Sequence, residues 1–244
     1  KIFSFDFHLG DSFFEKNDLL FCGLVYLFWD GNAILNDRMA IKQRAGSKAN
    51  MSIREEFFMS KKVYIFLADG FEDIEGLTVV DLLRRAGIDI KTVSIKETKQ
   101  IQTSHGITML TDTTFAETDF ADADMLVLPG GMPGTKYLAG YKPLTDLLTD
   151  FNSKGKKIAA ICAAPSVFSG LGFLKNRKAT SYPSFMEIIA GDGAKTSEDN
   201  VVVDGNITTS RGLGTAVDFA LSLISQLEND EKAKEIAESV VYTR

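Results

Sequence analysis

Cys162 is the residue of this sequence whose setting is most typical of a nucleophile. It directly follows the apolar run 157–161, which predicts a buried strand, and two small residues, Ala163 and Ala164, come after it. A side chain at a sharp turn from strand to helix is held out over the edge of a sheet, where a substrate can reach it. We therefore predict a nucleophile elbow at Cys162. The alternative is that Cys162 is a small buried hydrophobe, as free cysteines commonly are.

The segment after this cysteine is predicted to be a short helix that begins near Ala163. Its N-terminus would point the positive end of the helix dipole at the sulfur. Such a position lowers the pKa of a thiol and favours the nucleophilic thiolate. We therefore expect the pKa of Cys162 to lie below about 8.5, the value for a free cysteine.

Three acids follow a second predicted strand, residues 63–67. Acids in a first helical turn are favoured by the helix dipole alone, which is sufficient to explain Glu72 and Asp73. Glu75 lies about one turn further on, on the side where the apolar stripe of the helix faces the core. A carboxyl group there would be partly desolvated, would have a raised pKa and could share a proton with Cys162.

A glycine-rich turn follows a third predicted strand, residues 125–128. Consecutive glycines, Gly130 and Gly131, leave backbone N–H groups open to an approaching ligand. In a parallel sheet, ligands gather at the carboxyl ends of the strands. This glycine turn, Cys162 and Glu75 should therefore meet at one edge of the sheet.

From Val63 onward, short apolar runs alternate with longer amphipathic segments, which predicts an α/β domain with an open, mostly parallel sheet sandwiched between helices. Further strands are predicted at 88–95, 201–203 and 207–209, with a tight turn at 204–206. Helices are predicted at 74–86, 143–152, 183–190 and 215–227. Residues 101–104 and 107–110, around His105 and Gly106, are predicted to form a small β excursion outside the main sheet.

The first 58 residues are interpreted as an N-terminal extension, and residues 59–244 as a single domain. The extension is either upstream sequence joined by a misplaced start or a docking or membrane-surface segment. Its longest apolar run, residues 19–29, is shorter than the ~20 residues that a membrane-spanning helix needs. We therefore expect no membrane partner.

The composition excludes several other classes of protein. A net charge of −6 over 244 residues does not favour direct binding of nucleic acid. Cys22 and Cys162 lie far apart in dissimilar contexts, which favours a reducing, cytoplasmic location over a disulfide framework. The sequence has no cysteine and histidine cluster with zinc spacing and no phosphate-binding loop motif, so we predict neither a metal nor a cofactor.

Four motifs together resemble the ThiJ/PfpI superfamily, and most of all its deglycase-like branch. They lie at residues 68–75, 128–131, 159–165 and 209–215, in the order that the superfamily has them. The resemblance implies a flavodoxin-like fold and a homodimer. It also implies that Cys162 is an oxidisable nucleophile with Glu75 as its acid partner, and that the N–H groups of Gly131 and Ala163 stabilise an oxyanion.

Three positions depart from relatives in the superfamily. Its protease-named branch has a histidine directly after the cysteine, where this chain has Ala163, so peptidase activity is not expected. Many relatives have a histidine at the position of Tyr182, and the human-type branch often has an arginine at the position of His105. His105 could approach the site across a dimer interface, or it could be an exposed turn residue beside Gly106.

Two functions use the same residues. In the first, which the resemblance implies, Cys162 adds to a small aldehyde or a glycated substrate, and Glu75 moves protons, as in the glyoxalase and deglycase conversion of methylglyoxal to lactate. No cofactor or metal takes part in this reaction. In the second, Cys162 oxidises to a sulfinate and the protein is a redox sensor or chaperone without turnover.

Overall fold

A computed structural model of the chain describes residues 60–243, and the predicted N-terminal extension lies outside them. The strands are β1 (Lys62–Leu67), β2 (Asp89–Ser94), β3 (Gln100–Gln102), β4 (Thr108–Leu110), β5 (Thr113–Thr114), β6 (Met125–Leu128), β7 (Lys157–Ile161), β8 (Lys178–Ala179), β9 (Lys195–Thr196), β10 (Val201–Asp204) and β11 (Ile207–Ser210). The α-helices are α1 (Asp73–Arg85), α2 (Gly134–Gly140), α3 (Lys142–Ser153), α4 (Pro165–Gly170), α5 (Pro183–Gly191), α6 (Ala216–Leu227) and α7 (Asp230–Ser239).

Seven of these strands form the main sheet, in the order β10-β11-β7-β6-β1-β2-β5. All neighbouring pairs are parallel except β10 and β11, which form an antiparallel hairpin in which Asp204 is opposite Ile207. The tight turn predicted at 204–206 is therefore confirmed. The prediction of an open, mostly parallel sheet is confirmed as well.

Strand β1 lies inside the sheet and is buried on both faces. Val63, Ile65 and Leu67 belong to the core on one face, and Tyr64 and Phe66 belong to the core on the other. Successive side chains of a strand point to opposite faces, so a strand covered on both sides must be apolar throughout. This is why the continuous apolar run predicted an internal strand correctly.

Helices cover both faces of the sheet. On one face, α1 and α6 pack together, and Phe219 and Leu223 of α6 join the core. On the other face, the core includes Leu148 of α3, Phe168 of α4 and Ile189 of α5. Full burial of each large side chain stabilises the fold by roughly 1.5–3 kcal/mol. The predicted layer of helices on each side of the sheet is confirmed.

The hairpin of β3 and β4 forms its own two-stranded sheet, as predicted. It is tied to the turn before α1, because the N–H of Gly70 donates to the carbonyl of Gln102 and the N–H of Ser104 donates to that of Phe71. His105 lies in the loop of this hairpin. Within residues 60–243, no helix has the length and apolar character needed to cross a membrane.

Helices α2 and α7 and strands β5, β8 and β9 were not predicted. The two-residue strands are too short to produce an alternating pattern. Helix α2 begins at Gly134 and ends at Gly140, and glycine is a poor helix former. The helix after Cys162 begins at Pro165 rather than near Ala163 and is only six residues long.

Candidate active site

Cys162 lies on a sharp turn directly after β7, with a φ of 64°. This left-handed conformation costs a residue other than glycine of the order of 1–3 kcal/mol, so the surrounding contacts must hold it. Its N–H donates to the carbonyl of Ser210 at 2.9 Å. Its own carbonyl accepts hydrogen bonds from the hydroxyl of Ser181 at 2.6 Å and from the N–H of Tyr182 at 2.8 Å. The backbone geometry is that of a nucleophile elbow.

Glu75 reaches the cysteine from the first turn of α1. Its side chain forms a hydrogen bond with that of Cys162, and the residue is only 1% exposed. Its Oε2 accepts a hydrogen bond from the N–H of Gly130 at 3.0 Å. Glu72 caps the helix, because its Oε2 accepts the N–H of Glu75 at 2.8 Å. The structure thus brings together the two side chains that the sequence singles out.

Gly130 and Gly212 leave space for the contact between Glu75 and Cys162 because they have no side chain. The sequence did not indicate that either glycine is needed for this reason. A Cβ atom on Gly130 would lie 2.6 Å from Cβ of Cys162 and 2.6 Å from Oε2 of Glu75. A Cβ atom on Gly212 would lie 3.7 Å from Oε1 of Glu75 and 3.9 Å from Sγ of Cys162. The sequence signal for both glycines is their position, because Gly130 lies just after β6 and Gly212 lies just after β11.

Backbone N–H groups converge on the sulfur. Those of Ala163 and Gly131 form hydrogen bonds with Cys162. Gly131 has a φ of 91°, which favours glycine, and a Cβ atom there would lie 2.6 Å from the carbonyl oxygen of Gly70. The N–H groups of Gly131 and Ala163, the two residues implied by the superfamily resemblance, therefore lie at the sulfur of Cys162.

The pKa of Glu75 is raised to about 7, mainly because the carboxyl group is buried. Hydrogen bonds from Cys162 and from the N–H groups of Gly130 and Leu213 lower this pKa, and the charge of Glu72 raises it. A raised pKa at this position agrees with the sequence-based expectation.

The pKa of the Cys162 thiol is raised to about 12, first by burial and then by the charge of Glu75 and the hydrogen bond with it. The N–H groups of Ala163 and Gly131 lower this pKa, but burial and the neighbouring carboxylate outweigh them. The prediction of a thiol pKa below about 8.5 is therefore wrong for a thiol next to an ionised Glu75. A six-residue helix that begins three residues later supplies too little dipole to reverse the effect.

The two acids behave as one pair. Burial raises the pKa of both groups, and the charge of Glu75 raises that of the thiol further, which favours a pair with one negative charge and one proton over the doubly ionised pair. Because Glu75 and Cys162 are hydrogen-bonded, the proton can pass from sulfur to the carboxylate when the sulfur attacks. The arrangement places a thiol and a proton acceptor in one contact.

Tyr182 lies beside Cys162 and Glu75, whereas the side chain of His105 contacts Asp73. A Cβ atom on Gly212 would lie 3.3 Å from Cδ2 of Tyr182, which places the ring at the mouth of the site. Nδ1 of His105 lies 2.6 Å from Oδ2 of Asp73, and the imidazole is mostly exposed. Within one chain, the structure therefore brings Tyr182 to the site and pairs His105 with the first turn of α1.

The side chains of Glu72, Asp73 and His105 offer potential metal-ligand atoms within 4.8 Å of one another. Two of these groups already have partners, because Oε2 of Glu72 caps α1 and Oδ2 of Asp73 pairs with His105. The positive end of the α1 dipole also disfavours a cation at this position. We assign no metal to this cluster.

The fold and the site define an α/β protein with a cysteine nucleophile elbow and a buried carboxyl partner at the carboxyl ends of parallel strands. The chain belongs to the DJ-1/PfpI family, which its sequence matches over residues 61–226. The structure is similar to that of oxidized DJ-1 from Toxoplasma gondii, with a TM-score of 0.72 and 36% identity over 76% of this chain and 100% of that chain. The flavodoxin-like fold implied by the sequence resemblance is thereby confirmed.

Two further proteins with similar sequences support membership of this family. "Protein DJ-1 homolog A" of Arabidopsis thaliana is 40% identical over 179 residues, which are 73% of this chain but 46% of the plant protein. The chain thus spans about half the length of that relative. "Deglycase TK1284" of Thermococcus kodakarensis is 35% identical over 153 residues, which are 63% of this chain and 91% of that protein.

Proposed function

We propose that this protein converts small reactive carbonyl compounds without a cofactor, using Cys162 as nucleophile and Glu75 as acid and base. The observation that supports this most directly is the buried hydrogen bond between the two side chains, with the N–H groups of Gly131 and Ala163 at the sulfur. The similarity to a protein named a deglycase supports an enzymatic function of this kind.

The reaction begins when the sulfur of Cys162 attacks the aldehyde carbon of methylglyoxal. Glu75 accepts the thiol proton as the carbon–sulfur bond forms, and it then passes that proton to the former aldehyde oxygen to give a hemithioacetal. The N–H groups of Gly131 and Ala163 lie beside the attacked carbon and stabilise the developing oxyanion.

The second stage moves a hydrogen between two carbons of the substrate. The carboxylate of Glu75 removes the proton from the carbon bound to sulfur, and the neighbouring carbon is protonated in turn. The first carbon is oxidised and the second is reduced, so no external oxidant is needed. Water then hydrolyses the resulting thioester, releasing lactate and the thiol of Cys162. A glycated substrate would enter by the same attack on its carbonyl-derived carbon.

The test is lactate formation from methylglyoxal by the purified protein. We expect turnover by the native chain and its loss in Cys162→Ser, because serine lacks the nucleophilic sulfur. Equal lactate formation by both proteins would contradict the proposal.

A second candidate is oxidation of Cys162 without carbonyl turnover. The thiol is free and partly exposed, and the N–H groups of Gly131 and Ala163 can bind sulfinate oxygens. Each of two peroxide molecules would transfer one oxygen atom to sulfur and leave as water. A mass gain of two oxygen atoms on Cys162, in a protein that forms no lactate, would favour this redox role.

We also propose that the protein is a homodimer that associates through the outer face of α1. Ile74 and Leu77 lie one turn apart on this helix with 48% and 39% of their surfaces exposed, and Ile107 of the adjoining hairpin is 53% exposed. Exposed apolar side chains on one helix and the hairpin next to it support an interface at this place. His105 lies in the same hairpin, which places it beside the proposed partner.

A further inference from the structure

We propose that Tyr182 is an aromatic wall of the substrate site and selects uncharged 2-oxoaldehydes with an apolar or aromatic substituent. The inference rests on the proposed function, because it concerns which carbonyl compounds react at Cys162. Three features support it: the position of the ring, the open face of the ring and the charges around the site.

The ring of Tyr182 borders the small space next to the reactive atoms. The position of a Cβ atom on Gly212 lies 3.3 Å from Cδ2 of the tyrosine and 3.9 Å from Sγ of the cysteine. Glycine leaves this space free of a side chain. A group attached to the carbon that bonds to sulfur would therefore be within contact distance of the tyrosine ring.

The backbone that carries this ring is fixed relative to Cys162. The N–H of Tyr182 donates to the carbonyl of Cys162 at 2.8 Å, and Pro183 begins α5 directly after it. The residue is 49% exposed, and within residues 60–243 its hydroxyl has no hydrogen-bond partner. An aromatic face that is open to solvent can stack on a flat apolar group.

The surrounding charges disfavour an anionic substituent. The pair of Cys162 and Glu75 carries a negative charge above about pH 7. Arg211 precedes Gly212, but its guanidinium is engaged with Glu198, whose carbonyl oxygen lies 3.1 Å from Nη1. The residues that adjoin the site glycines, Met132 and Leu213, are apolar and about half exposed. The site therefore suits a neutral, apolar substituent.

The first experiment compares initial rates with phenylglyoxal and methylglyoxal for the native protein, Tyr182→Ala, Tyr182→Phe and the control Tyr137→Ala. We expect the ratio of kcat/KM for phenylglyoxal to that for methylglyoxal to fall about five-fold in Tyr182→Ala, as the loss of one aromatic pair predicts. The ratio should be kept in Tyr182→Phe, which retains the ring, and in Tyr137→Ala, which removes an equally exposed tyrosine of α2. An unchanged ratio in Tyr182→Ala would overturn the inference.

A second measurement does not depend on turnover. N-phenylmaleimide and N-ethylmaleimide alkylate the sulfur of Cys162, and we expect the preference for the phenyl reagent to fall in Tyr182→Ala to the same extent. If neither aldehyde is converted but this preference falls, the proposed reaction fails and the aromatic wall is supported. If both aldehydes are converted and neither ratio changes, the aromatic wall is wrong and the proposed reaction stands.

Discussion

The N–H of Gly130 donates to Oε2 of Glu75 at 3.0 Å, which joins the turn after β6 to the acid on α1. The same glycine lies against Cys162, since a Cβ atom on it would be 2.6 Å from Cβ of the cysteine. One residue without a side chain therefore lets three segments of the chain meet.

Gly130→Ala should damage the site through this contact. Overpacking of a tightly packed position costs about 1–3 kcal/mol, and a displacement of about 1 Å at reacting atoms can lower activity about 100-fold. We expect both effects, measured by urea unfolding and by lactate formation. Gly140→Ala is the matched control, because a Cβ atom there meets nothing within 4 Å. Equal activity and stability in the two variants would show that Gly130 is not constrained.

The burial of Glu75 should make stability depend on pH. Its pKa is 4.5 when unperturbed and about 7 in the folded protein, so the folded state binds the proton more tightly. The contribution of Glu75 to stability is therefore fully present below about pH 4.5 and is lost as the pH rises through about 7, by about 3 kcal/mol. Glu75→Gln cannot ionise and should lack this loss. Urea unfolding across this range should show the difference between the two proteins growing as the pH rises, and a constant difference would contradict the raised pKa.

The proposed dimer should depend on the apolar face of α1. Ile74→Glu places a charge in this face and should yield monomers in light scattering at micromolar concentration. Ile188→Glu changes a similarly exposed isoleucine on α5, which packs on the opposite face of the sheet, and should leave the dimer intact. A native protein that is monomeric under these conditions would contradict the proposal.

The sequence was sufficient to predict the sheet, its helical layers and the meeting of Cys162 with Glu75. The carboxyl ends of parallel strands lie along the same edge of the sheet, so residues that directly follow two such strands are expected to lie near each other. The closeness of Gly130 and Gly212 to the pair, and the hydrogen bond from Ser181, could not be predicted, because they depend on the exact packing of loops from separate elements.

The pKa of Cys162 shows where reasoning from one element fails. A helix N-terminus favours a thiolate, but the same site also buries the sulfur and places an ionisable carboxyl group beside it. Local sequence indicates the first effect, whereas the degree of burial comes from the whole fold. The cytoplasmic location and the role of the first 58 residues stay predictions.

The central claim is that Cys162 and Glu75 share a proton, and the pH dependence of alkylation at Cys162 tests it most directly. The rate of modification by iodoacetamide should be followed by mass spectrometry of the Cys162 peptide, which separates it from Cys22. In the native protein this rate should rise with a midpoint near pH 7, where Glu75 ionises and can accept the thiol proton as the carbon–sulfur bond forms. In Glu75→Gln this rise near pH 7 should be lost, because the base is absent and the rate follows ionisation of the thiol itself. In Glu75→Leu the remaining rise should lie at higher pH than in Glu75→Gln, because the hydrogen bond to sulfur is also lost. Identical midpoints in the three proteins, or a lower midpoint in Glu75→Gln, would contradict the shared proton.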